Sequence, residues 1–158
     1  MTAALVDDIA ELVNVESPSK DLEAVARCAD VVEELALRRI GVPPERVTVG
    51  ERVHLRWQWG RPRVVLLGHF DTVWPLGTLA RWPFEVDGDQ MTGPGVFDMK
   101  TGVVQLVAAL QSLDDLDGIA TRPARRAMDL PQPPRMQPAG RQGAGRRRGD
   151  RRRRAGFD

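Results

Sequence analysis

Cysteine is almost missing from this 158-residue chain. Cys28 stands alone, so a disulfide scaffold is excluded. No apolar run approaches the roughly 18 residues that a membrane span requires, so no membrane partner is expected. The first ten residues have no positive n-region and carry Asp7 and Asp8 where a signal peptide needs apolar residues. Secretion by that route is not expected, and a reducing cytoplasm is the expected location. There is no internal repeat. Histidine is scarce as well, with only His54 and His69 available as imidazole ligands or bases.

The overall charge balance, 23 Lys+Arg against 22 Asp+Glu, conceals two compositions. Residues 1–118 carry 11 basic and 19 acidic side chains, a net of −8, whereas residues 119–158 carry 12 Arg and three Asp, a net of +9. Arg, Ala, Gly and Pro fill 28 of those last 40 positions, and Ile119, Leu130 and Phe157 are the only large Ile, Leu, Val or Phe residues there. Three such side chains cannot offset the entropy of ordering forty residues, so 119–158 reads as a disordered tail. Arg146–Arg148 and Arg151–Arg154 would attract phosphates without specificity. No aromatic residue is interleaved before Phe157 to stack on a base, and a biological nucleic-acid partner is not expected.

Residues 1–118 read as one α/β unit. Leu5, Val6, Ile9, Leu12 and Val13 follow helical spacing, and a second helix spans about 19–40 with Gly41 as its stop and Pro43 and Pro44 beyond. Val47–Val49 and Val53, Leu55 and Trp57 alternate as half-buried strands do. Val64–Leu67 is a continuous apolar run, typical of a central strand covered on both faces and ending at Gly68. Short strands flank Asp87-Gly88-Asp89, Gly93-Pro94-Gly95 forces a loop, and a third helix begins near Met99. The expected architecture is a partial mixed or parallel sheet with flanking helices.

His69 and Asp71 follow the buried strand directly, in the crevice beyond a strand's carboxyl end where open α/β sheets bind ligands. A His-x-Asp pair in extended chain puts both side chains on one side, so the carboxylate can orient an imidazole that ligates a metal. Its bland counterpart is a capped turn. Asp98 ends a glycine-rich loop before the third helix, where it serves either as that helix's cap or as an anionic ligand. Trp74 and Trp82 lie between the two motifs, suited to a substrate entrance or, more commonly, to core packing. Lys100 and Thr101 are expected to start the third helix and fix the loop holding Asp98.

The segments Leu67-Gly68-His69-Phe70-Asp71-Thr72-Val73 and Gly93-Pro94-Gly95-Val96-Phe97-Asp98-Met99-Lys100-Thr101-Gly102, in that order, resemble the paired signature of the M20 family of metallopeptidases. Trp74-Pro75-Leu76-Gly77-Thr78-Leu79 is similar to its glutamate carboxypeptidase branch, and Asn14–Ser19 to the family's early helix-to-helix turn. The resemblance covers about residues 5–118. It implies a catalytic site with two zinc ions, in which His69 ligates one, Asp98 bridges both, and Asp71 supports His69 as a catalytic residue. It also implies hydrolysis of the amide bond of N-acyl amino acids or peptides ending in glutamate.

The same resemblance requires a Glu-Glu pair, a further acidic ligand and a second histidine after Asp98, and neither a glutamate nor a histidine follows that residue. Glu33 and Glu34 precede the motifs and read as a solvated helix face, and His54 reads as an ordinary strand histidine. The family's inserted dimerisation domain is also absent. The 158-residue chain is therefore expected to be inactive alone. Because codons made only of G and C encode Gly, Ala, Pro and Arg, the break near residue 118 suggests a frameshift in a GC-rich gene or a misannotated end. A noncatalytic fragment that docks on a partner protein through an open sheet edge is the alternative.

Overall fold

In a computed structural model that describes residues 2–123, the chain runs α1 (Ala3–Val13), α2 (Leu22–Ile40), β1 (Glu45–Val49), β2 (Arg52–Gln58), β3 (Val64–Gly68), β4 (Glu85–Asp87), β5 (Gln90–Thr92), α3 (Thr101–Gln111) and β6 (Ile119–Pro123). The apolar face of α1 buries Ile9, Leu12 and Val13. Helix α2 begins at Leu22 rather than Ser19, because the Asp21 carboxylate accepts the Ala24 N–H at 2.9 Å and caps it there. It ends at Gly41, which takes the left-handed conformation at φ 71°.

Strands β1, β2, β6 and β3 form a mixed sheet in that order. The first pair is an antiparallel hairpin with Glu45 opposite Arg56 and Val49 opposite Arg52. Strand β6 lies antiparallel to β2 and parallel to β3, with Val65 opposite Ala120. Helix α2 packs on β2 and α3 on β3, while α1 packs on both helices. The core between them joins Val25, Cys28, Val32 and Leu35 of α2 to Leu55 and Trp57 of β2, Phe70, and Val103, Val104 and Val107 of α3. Strands β4 and β5 form a separate two-residue hairpin around Gly88, as the Asp-Gly-Asp turn predicts.

Two expectations need correction. The reading of 119–158 as a uniform tail places its boundary five residues too early, since Ile119–Pro123 is a strand between β2 and β3. Ala120 and Thr121 are buried, and the Thr121 hydroxyl accepts the Trp57 N–H at 3.2 Å. Averaging composition over forty residues hid a strand in which only three residues favour burial. Residues 124–158, with the basic runs at 146–148 and 151–154, lie outside the described residues. Second, β3 is an edge strand among the described residues rather than one covered on both faces. Val64, Val65 and Leu67 are 52%, 47% and 45% exposed.

Leu35 is 1% exposed at the centre of this packing. Leu35→Ala is expected to lower unfolding free energy by about 2–5 kcal/mol. Urea denaturation followed by circular dichroism should show a lower midpoint at unchanged slope. A loss below about 1 kcal/mol would contradict the packing described.

Candidate metal centre

The chain leaves β3 at Gly68 and presents His69 at the strand's carboxyl end. One imidazole nitrogen, Nδ1, lies 2.9 Å from the backbone oxygen of Asp71 and 3.4 Å from its carboxylate. The other, Nε2, lies 3.0 Å from Oδ1 of Asp98. The structure thus brings the three sequence-selected residues together. Asp98 does not cap α3, whose first residue is Thr101. Its backbone is extended, at φ −129° and ψ 95°, which turns the carboxylate toward His69 rather than along the helix.

The charges of this trio are coupled. The Asp71 carboxylate beside Nδ1 is the largest influence on His69, and despite opposing burial it pushes the imidazole pKa up to about 9. Burial works against ionisation of Asp71, yet contacts with His69 and Ser19 outweigh it and hold that carboxyl below its ordinary value. In the metal-free chain a proton on His69 therefore supplies the positive charge between two carboxylates.

A short turn between α1 and α2 fixes the loops around the site. Ser17 donates its hydroxyl to the Phe70 carbonyl at 2.7 Å, and Thr72 N–H donates to the Ser17 carbonyl at 2.7 Å. Ser19 donates both its N–H and its hydroxyl to the Thr72 carbonyl. Glu16 accepts the N–H groups of Gly77 and Leu79 at 2.7 and 2.8 Å, and the Leu79 contact leads in lowering its pKa. Lys100 is 1% exposed and donates through Nζ to the carbonyls of Leu12 and Val15 at 3.0 and 2.6 Å. Burial lowers its pKa.

Sequence reading assigned Lys100 to starting α3 and fixing the loop that holds Asp98, but missed this burial. A signal was present, because Lys100 is in phase with Val103, Val107 and Leu110 on the apolar stripe of α3. Trp74 and Trp82 form an edge-to-face pair with centroids 5.0 Å apart. At 40% and 37% exposed they are surface rather than core residues. His54 lies in β2 opposite Val47, and Glu33 accepts a bond from Arg46, so neither joins the trio.

The profile of peptidase family M20/M25/M40 matches residues 65–123, from β3 through the trio to the end of β6. Over that segment the chain is similar to the M20 family. Carboxypeptidase G2 of Pseudomonas sp. (strain RS-16) is 30% identical over 119 residues, which are 71% of this chain and 28% of that protein. The M20 family metallo-carboxypeptidase Sso-CP2 from Sulfolobus solfataricus superposes with a TM-score of 0.62 at 16% identity, over 78% of this chain and 30% of that one. The chain thus spans under a third of the length of either relative, and the second shares its fold.

Imidazole nitrogen and carboxylate oxygen suit zinc, and Nδ1 is already occupied by Asp71, which leaves Nε2 to face an ion. The number of donors falls short. Among the described residues no group of three or more His, Cys, Asp or Glu side chains is placed to hold a metal, so His69 and Asp98 by themselves do not make a metal site.

Replacing Asp71 by Asn should return the His69 pKa toward 6.5, followed by the imidazole proton resonances of the metal-free chain. The sign of the stability change follows from the raised pKa. Its contribution is complete below the unfolded value near 6.5 and is lost as pH rises through about 9. Unfolding free energy should therefore fall across that window in the parent chain and less so in Asp71→Asn. An unchanged His69 titration in the variant would refute the assignment.

Proposed function

We propose that the domain to which this chain contributes is a zinc-dependent carboxypeptidase. It would hydrolyse the amide bond of N-acyl amino acids or peptides ending in glutamate, with His69 and Asp98 as metal ligands and Asp71 as the residue that orients His69. The observation that carries this reading is the His69–Asp98 contact of 3.0 Å at the end of β3, with Asp71 behind the imidazole. The M20 relatives support it.

A bound divalent ion supplies a Lewis acid for the scissile carbonyl and an acidified water as nucleophile. The chain's own residues do the arranging. Asp71 holds Nδ1 so that Nε2 is directed at the ion, and it favours positive charge there. Asp98 contributes negative charge from an exposed position, its side chain 75% accessible, where a second ion or a substrate can reach it. Glu16 holds the Gly77–Leu79 segment of the loop that carries the two tryptophans.

Two ligands do not complete a tetrahedral zinc site, so the 158-residue chain alone is expected to show no metal-dependent turnover of an N-acyl glutamate. Release of glutamate from such a substrate by the purified chain, abolished by a chelator, would overturn this half of the reading. We also propose that the reading frame departs from that of the family after codon 123, where the family match ends, rather than near codon 118. Genomic sequencing tests this. A one-base shift beyond codon 123 should reveal downstream codons for an adjacent Glu-Glu pair and a further His, and their absence from every frame would reject it.

A further inference from the structure

We infer that Lys100 is a positioning residue, whose amino group ties the loop bearing Asp98 to the carboxyl end of α1 and so sets the Asp98 carboxylate against His69. The inference rests on the reading of His69 and Asp98 as metal ligands and adds to it a means of holding them in register.

A buried position on the apolar stripe of α3 would be filled at less cost by Met or Leu, because an amino group taken out of water needs partners. Lys100 finds them 85 or more residues back in the chain, at the carbonyls of Leu12 and Val15. Carbonyls at a helix's carboxyl end have lost intrahelical donors and carry the negative end of its dipole, so they suit an amine. The link therefore adds a directional tie between two elements that also share a packed core.

The rest of the loop is locked onto the same side chain. The Lys100 backbone N–H donates to the Gly95 carbonyl at 2.9 Å, closing the loop that contains Asp98. Gly95 sits between the Lys100 stem and Thr72. A Cβ placed on it would lie 3.4 Å from Lys100 Cδ and only 2.6 Å from Thr72 Cγ2. Its φ of +81° also belongs to glycine. Thr72 in turn is bonded to Ser17 and follows His69 by three residues. The contacts make a ring from α1 through Lys100, Gly95, Thr72 and Ser17 back to the α1–α2 turn. Asp98 projects from this ring, mostly in solvent, so its position is set by the backbone anchors on either side rather than by packing of its own side chain.

Amide hydrogen exchange on the metal-free chain tests the role. Lys100→Met keeps the stem and removes the donors. It should speed exchange at the Val96 and Lys100 amides about 10- to 100-fold beyond any change at Val32 and Leu35 in α2, the range expected on losing charge-assisted hydrogen bonds. Leu110→Ala, a core truncation far from the amine, should speed all four together. Equal acceleration of all four in Lys100→Met would reduce Lys100 to a core residue and overturn the inference. Should that variant not fold, the parent chain decides the matter in low denaturant. The Thr72, Val96 and Lys100 amides should then open as one unit with a common dependence on denaturant, and separate dependences would overturn the ring. No metal is present in either measurement, so failure here leaves the carboxypeptidase reading intact, and failure of metal binding would leave the exchange result intact.

Discussion

Irregular chain must find partners for its backbone polar groups before it can hold a side chain in place, and here one five-residue turn meets that need for three loops. Residues 15–19 supply a carbonyl to Lys100, a carboxylate to Gly77 and Leu79, and hydroxyl, amide and carbonyl groups to Phe70 and Thr72. Buried backbone groups left unpaired would cost more than such bonds return, so the arrangement is close to all or none. His69 and Asp98 inherit their mutual position from it.

The site itself is an electrostatic compromise. Asp71 and Asp98 face one imidazole from opposite sides, and without a cation between them the proton on His69 takes that place. Any divalent ion must displace that proton, so its binding competes with acid across the range in which the imidazole is charged. In the proposed centre Asp71 would therefore both assist and oppose a metal, orienting Nε2 toward the ion while stabilising the proton that the ion would replace.

Much of the fold was legible. The apolar stripe of α1, the stop of α2, the alternation of Val53, Leu55 and Trp57, and the Asp-Gly-Asp hairpin each follow from local chemistry, whereas His69, Asp71 and Asp98 were singled out by place but took their roles from the family resemblance. What escaped was nonlocal. Strand β6 is too short to raise an apolar signal above an Arg-rich background, and its place between β2 and β3 depends on pairing with strands some 55 residues earlier in the chain. The exposure of β3 was missed because an apolar run reports what a strand needs, not what neighbours it has. Lys100 was read as opening α3 and fixing the Asp98 loop, but its burial went unnoticed although its phase with the apolar stripe of α3 pointed inward.

The bonds that frame the site join residues 53, 63 and 88 positions apart. Contacts of that span are entropically expensive to close and form after local helices and hairpins. On a ribosome the order is stricter still, since His69 emerges well before Gly95 and Lys100 exist to meet it. For that interval the histidine motif is an unsupported loop, and the centre acquires its geometry only once the chain beyond residue 100 has been made and has folded back onto the end of its first helix.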